Sequence, residues 1–187
     1  MEYKLERLER RLVCPGRALD FMRDTVRLPD DTVEEWDFVH HKKGGGACVV
    51  PVLGDGRILM VRQVRPALGM EMLELPAGAR DAEDPDASVT ALRELREETG
   101  YSAGRLQPLC TLHTAVAFFD EVTEVFLAEE LHREGDQHTD AAEDIRMEAW
   151  ELGDLHRLIR EGKLTDAKTV AGLLAYMAYQ TDGEKTK

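Results

Sequence analysis

The first 43 residues alternate charged and apolar positions in short bursts, as in "TVRL" (25–28) and "EWDFVHH" (35–41), a β-rich texture without a helical period. Two further β-rich runs, Ala47–Leu53 and Arg57–Val64, flank "GDG" (54–56), and Asp-Gly between such runs predicts a hairpin. A third strand is expected near "EMLELP" (71–76), before Pro76. The period then changes. Asp86 suits an N-cap, the spacing predicts a helix to about Thr99, and Gly100 falls where a left-handed C-cap belongs. Downstream, "LQPLCTLHTAV" (106–116) and "TEVFLAEEL" (123–131) read as strands. Helices are expected over Leu152–Glu161 and Ala167–Tyr179, the second with Val170, Leu173, Leu174 and Met177 on one face. Strands and helices mix without regular alternation, which predicts an α/β protein: a mixed sheet with helices packed on it. Residues 1–43 form an N-terminal strand segment and 44–187 the main domain.

Length and composition fit this picture. A chain of 187 residues, 43% hydrophobic and 33% charged, has the makings of one globular domain with a small appendage. The net charge of -13 argues against nucleic acid as a partner, since a phosphate backbone calls for clustered Lys and Arg. A small anionic substrate stays open, because a divalent cation reverses the local sign. The start, "MEYKLERLERRLV", lacks the apolar core of a signal peptide, and no stretch approaches the roughly 20 apolar residues of a membrane span. A cytoplasmic protein without a membrane partner is expected. Cys14, Cys48 and Cys110 are scattered and odd in number, so packing roles are expected rather than a disulfide or zinc site.

The chemistry concentrates in "RELREETGY" (93–101). On a helical wheel Glu94, Glu97 and Glu98 share an arc of about 100°, with Val89, Leu92 and Leu95 on the other side. Acids at a helix C-terminus oppose the dipole, and Glu94 with Glu98 is a like-charge i,i+4 pair, each effect costing about 0.2–1 kcal/mol. Only Arg93 is placed to pair with Glu97. The arrangement reads either as a solvated face or as a site for a hard divalent cation, which takes carboxylate oxygens together with substrate phosphates.

The span "GARDAEDPDASVTALRELREETGY" (78–101) resembles the Nudix box, Gx5Ex7REUxEExGU with U bulky and apolar. Arg93, Glu94, Leu95, Glu97, Glu98, Gly100 and Tyr101 match its second half. The first half carries one extra residue: the first Glu of the box falls on Asp84 counted forward from Gly78, and on Pro85 counted back from Arg93. Beyond the box, "MVRQVRPALGMEMLELPAG", "HTAVAFFDEVTEVFLAEEL" and "DAKTVAGLLAYMAY" are similar to the ADP-ribose pyrophosphatase-like branch of Nudix hydrolases.

This resemblance implies the Nudix fold, an α/β/α sandwich around a mixed sheet, with the N-terminal segment exchanged in a homodimer. It implies Mg²⁺-dependent hydrolysis of a nucleoside diphosphate sugar, ADP-ribose first, to AMP and ribose 5-phosphate, with Mn²⁺ as the alternative ion. Glu94, Glu97, Glu98 and the carbonyl of Ala77 would be the metal ligands, with Arg93 orienting the glutamates. Arg65 matches an arginine on the substrate phosphates, and Glu74 the glutamate before "LPAG". Glu143 in "HTDAAEDIRMEAW" is the leading general base, with Asp140 and Asp144 as neighbours; Glu121 is an alternative for the same region. Trp36 and Phe38 are candidates for stacking on the base.

Departures from the branch bear on specificity. Its usual Ser-Pro-Gly reads Ala115-Val116-Ala117, and an Arg-Glu pair reads Trp36-Asp37. Another sugar nucleotide such as GDP-mannose, or a nucleotide-sensing domain without catalysis, are the rival readings. "GGG" (44–46) lacks the Gly-Lys-Ser/Thr of a P-loop, and His40-His41 reads as surface.

Overall fold

The structure, a computed structural model, describes residues 4–137 and 145–185. The described chain forms two compact units, Met1–Gly45 with His113–Val122, and Gly46–Leu112 with Thr123–Lys187.

The first unit is built on three antiparallel strands, β1 (Glu6–Pro15), β2 (Leu19–Arg27) and β3 (Val33–His41), in the order β1-β2-β3. Cross-strand ion pairs knit the sheet. Arg10 grips Asp24 through two hydrogen bonds of 2.8 and 2.7 Å, and Arg23 bonds Asp37 at 2.5 and 3.0 Å. Such pairs contribute little each when exposed, and their main effect is to fix register. Leu8, Leu12 and Val13 of β1 stay exposed. In the 113–122 segment, Asp120 accepts from the backbone N–H of His41 at 2.8 Å and lies 2.6 Å from His40 Nδ1. His41 is buried, against the surface reading of the His40-His41 pair.

The second unit holds the remaining elements: β4 (Gly45–Pro51), β5 (Ile58–Arg65), β6 (Met70–Glu74), β7 (Ala77–Ala79), α1 (Ala87–Thr99), β8 (Tyr101–His113), β9 (Val122–Arg133), β10 (Arg146–Trp150), α2 (Leu152–Arg160) and α3 (Ala167–Lys185). One sheet runs β7-β4-β9-β8, the other β10-β5-β6. The expected hairpin is corrected here. The "GDG" turn forms, with Leu53 N–H bonded to Arg57 O at 2.9 Å, but β4 and β5 enter different sheets and share only a bridge at Val52 and Ile58.

Period-two alternation divides the core. On one face Ala47 and Val49 of β4 and Phe126 and Ala128 of β9 meet Ala87, Ala91 and Leu95 of α1. The other face packs Cys48, Val50, Val125 and Leu127 with Leu155 of α2 and Leu173 and Tyr176 of α3. Sheet between helices is the α/β/α arrangement expected. Leu95 is fully buried, and cutting it to Ala would cost about 2–5 kcal/mol. Among the cysteines, Cys48 is a core residue whose thiol burial pushes well up, whereas Cys14 is exposed. No helix of the described residues is long and apolar enough to cross a membrane.

Candidate active site

Helix α1 begins and ends as its sequence dictates. The Asp86 carboxylate accepts from the N–H groups of Ser88 and Val89, worth about 1 kcal/mol, and Gly100 closes the helix at φ 71°. The packed face differs from the wheel reading. It is formed by Ala87, Ala91 and Leu95, while Val89 and Leu92 remain partly exposed. Small residues let the helix approach the sheet closely, and Glu98 falls inside this face, 6% exposed.

Burial of Glu98 demands partners, and the start of β7 supplies one: the Ala77 N–H donates to Glu98 Oε2 at 3.1 Å. Gly78 follows for a steric reason. A Cβ there would stand 2.1 Å from Glu94 Oε1 and 2.5 Å from Oε2. The "PAG" turn and the acidic helix are therefore complementary surfaces.

Arg93 answers the charge problem on the helix. Its Nη1 donates to Glu94 at 2.7 Å and Glu97 at 3.0 Å, and its Nη2 to Ala79 O at 3.0 Å and Asp84 at 3.1 Å. Desolvation works against the Arg93 charge, but the Asp84 hydrogen bond and the glutamates outweigh it and raise its pKa. Asp84 also accepts from Asp81 N at 3.0 Å and Thr90 Oγ1 at 2.9 Å. These bonds, the Asp81 N–H foremost, hold its carboxyl down at about 2. The extra loop residue is thus absorbed with Asp84, not Pro85, facing Arg93.

A second cluster lies at the end of β6. Glu74, 1% exposed, receives Arg65 Nε and Nη2 at 2.6 Å each and Lys168 Nζ at 2.5 Å. Burial opposes its ionisation, yet the Arg65 bonds and the Lys168 charge prevail and hold the carboxyl below its ordinary range. Lys168 went unremarked in the sequence; the signal available was Asp166 placed to cap a helix, with Thr169 three residues on.

The other expected site residues lie apart in sequence and unit. Glu121 accepts from Thr114 Oγ1 at 2.7 Å, and Trp36, 44% exposed, donates to Glu34 at 2.8 Å; both belong to the first unit. Trp36 lines a pocket of about 430 Å³ there with Arg10, Phe38, Val116, Phe118 and Phe119. Without Pro-Gly, 115–119 still turns, Phe118 and Phe119 N–H bonding to Ala115 O at 3.0 and 2.9 Å. Glu143, Asp140 and Asp144 lie outside the described residues.

The donor chemistry of α1 suits a hard divalent cation, being carboxylate oxygen with a glycine opposite that leaves Glu94 its space. Among the described residues no three His, Cys, Asp or Glu side chains already stand close enough to hold one. Arg93 engages Glu94 and Glu97, so a shared cation requires those carboxylates to turn from it.

The NUDIX domain matches residues 42–173. The chain is 36% identical over 159 residues to the ADP-ribose pyrophosphatase of Bacillus subtilis, covering 84% of each. It is 33% identical over 182 residues to the ADP-ribose pyrophosphatase of Mycobacterium tuberculosis, covering 96% of this chain and 86% of that one. A crystal structure of an ADP compounds hydrolase superposes with a TM-score of 0.86, at 19% identity and 96% coverage of both chains, which bears on the fold. The chain belongs to the Nudix family. It has the Nudix fold and is a pyrophosphohydrolase of that family.

Proposed function

We propose that this protein hydrolyses the pyrophosphate of a nucleoside diphosphate sugar, ADP-ribose first, releasing AMP and ribose 5-phosphate. The observation that carries the reading is the Glu98–Ala77 bond joining the acidic helix to the "PAG" segment, in a chain whose relatives include ADP-ribose pyrophosphatases.

Glu94, Glu97, Glu98 and the Ala77 carbonyl are assigned as the groups that hold divalent cations, Mg²⁺ first and Mn²⁺ second. Such ions supply charge neutralisation on the phosphates and a lower pKa for the attacking water. Nudix enzymes in general use divalent metals. The chain's own part is positional. Arg93 keeps the glutamates aimed at one region, Asp84 locks Arg93, and Gly78 leaves room for the Glu94 carboxylate. Arg65, half held by Glu74, is assigned to the substrate phosphates, where a planar fork suits anionic oxygens. Trp36 and Phe38 are assigned to the base, and Glu143, with Glu121 second, to the general base. Residues 1–43 are assigned to exchange between two copies in a homodimer, a role that the exposed Leu8, Leu12 and Val13 on β1 support. A cytoplasmic location completes the proposal.

One observation favours a second substrate. Val116, 80% exposed, stands where the branch has its Pro-Gly turn, so a different sugar nucleotide such as GDP-mannose is the alternative. The test is hydrolysis of a panel of sugar nucleotides and dinucleotides with Mg²⁺ and with EDTA, measuring nucleoside monophosphate release. Metal-dependent preference for ADP-ribose is expected. Preference for another sugar nucleotide moves specificity to the second reading, and nucleotide binding with no cleavage overturns both.

A further inference from the structure

Behind β6, the start of α3 presents a set of polar groups to which the proposed reaction gives no role. Asp166, just ahead of the helix, accepts from Thr169 N at 3.1 Å and Thr169 Oγ1 at 2.6 Å. Thr169, fully buried, accepts in turn from Leu75 N at 2.9 Å. Lys168 Nζ reaches between the elements, donating to Asp166 at 2.9 Å and to Glu74 at 2.5 Å. The strand end at 74–75 is thereby pinned twice, through backbone and side chain.

Exposure falls away inward across this cluster. The Arg65 side chain is 39% exposed, that of Lys168 16% and that of Glu74 2%. Arg65 commits Nε and Nη2 to Glu74, which leaves Nη1 as the guanidinium nitrogen that Glu74 does not engage. Two carboxylates, Glu74 and Asp166, thus share one inner cation, and Glu74 also hydrogen-bonds the outer one.

We infer that Lys168 is a positioning residue: by neutralising Glu74 and Asp166 from behind, it frees Arg65 to face outward toward a substrate phosphate. Without Lys168, Arg65 is the nearest counter-charge for two poorly solvated carboxylates. A buried carboxylate draws strongly on its remaining partner, since an uncompensated charge there is costly. Arg65 is then drawn inward and its outward edge is lost to the ligand. Lys168 touches no substrate in this account and acts only through Glu74 and Arg65. The inference rests on the assignment of Arg65 to the phosphates made above.

Steady-state kinetics of Lys168→Met, Lys168→Arg, Arg65→Gln and the double variant Arg65→Gln/Lys168→Met, with ADP-ribose and Mg²⁺, tests it. The expected result is a KM raised about tenfold in Lys168→Met with kcat within about twofold, the loss of one charge-assisted contact. Lys168→Arg restores KM, and the double variant is no worse than Arg65→Gln alone. Should Lys168→Met not fold, as judged by circular dichroism, Lys168→Gln carries the same comparison. If Arg65→Gln raises KM while the Lys168 variants leave it unchanged, or if the two changes add independently, the positioning role is wrong and the phosphate role of Arg65 stands. If Arg65→Gln leaves KM unchanged, the phosphate assignment fails and takes the inference with it.

Discussion

Glu98 Oε2 accepts the backbone N–H of Ala77 at 3.1 Å, a bond that runs from the buried flank of α1 to the first residue of β7. It helps to satisfy a carboxylate in the packed face of a helix, and it ties the acidic helix to β7. A glutamate in that position would otherwise be a liability to the fold.

The first expectation concerns that residue. Glu98→Gln keeps an oxygen for the Ala77 N–H but loses the charge and turns the other oxygen into an NH2 donor. Turnover should fall about a thousandfold, equivalent to about 4 kcal/mol, with the melting temperature little changed. Near-normal activity would remove Glu98 from the metal assignment.

Gly78→Ala probes the facing turn. The added methyl meets the mobile end of Glu94 rather than backbone, so the protein should still fold. Glu94 must swing aside, and the expected signature is a higher Mg²⁺ requirement together with reduced kcat. Wild-type metal titration in this variant would show that the glycine is there for reasons of folding alone.

Asp84 gives a pH prediction with a definite sign. Its folded pKa of about 2 lies below the value of about 3.9 for an unfolded Asp. The stability it contributes is therefore complete above about pH 4 and is lost as pH falls toward 2. Asp84→Asn should melt lower at neutral pH, and its melting temperature should fall less steeply than wild type between pH 4 and 2. Parallel curves would mean that Asp84 carries no such linkage.

Trp36→Ala tests the base assignment in the first unit. The side chain is 44% exposed, so stability should barely change. Loss of stacking predicts a KM raised about tenfold for the nucleotide substrate, with kcat retained. An unchanged KM would return Trp36 to a surface role.

Local signals were the readable ones. The α1 caps at Asp86 and Gly100 and the "GDG" turn depend on residues within a few positions of one another, and all formed as expected. What depended on distant partners was hidden. β10 lies at the end of "HTDAAEDIRMEAW", where no strand was expected, and it is a strand because Arg146–Trp150 pairs with Arg62–Ile58, with Arg62 bonded to Glu148 at 2.6 Å. The buried face of α1 was misjudged because Ala87 and Ala91 looked weaker than Val89 and Leu92, while a close-packed sheet favours the smaller pair. At the candidate site, the pairing of Arg93 with Glu97 was legible from spacing. Lys168 was not, since its partner Glu74 is 94 residues away and nothing in the chain links them.

The parting of β4 and β5 into different sheets bears on how the chain is made. A local hairpin would close as soon as it left the ribosome. Here β4 lies between β7 and β9, and β5 between β6 and β10, so each strand keeps an open edge until residues 122–133 and 146–150 are synthesised. Val49, Val50, Met60 and Val61, all solvent-excluded in the finished protein, must wait through that interval. A nascent chain halted before β9 therefore presents unpaired apolar strand edge to its surroundings, a stage open to aggregation.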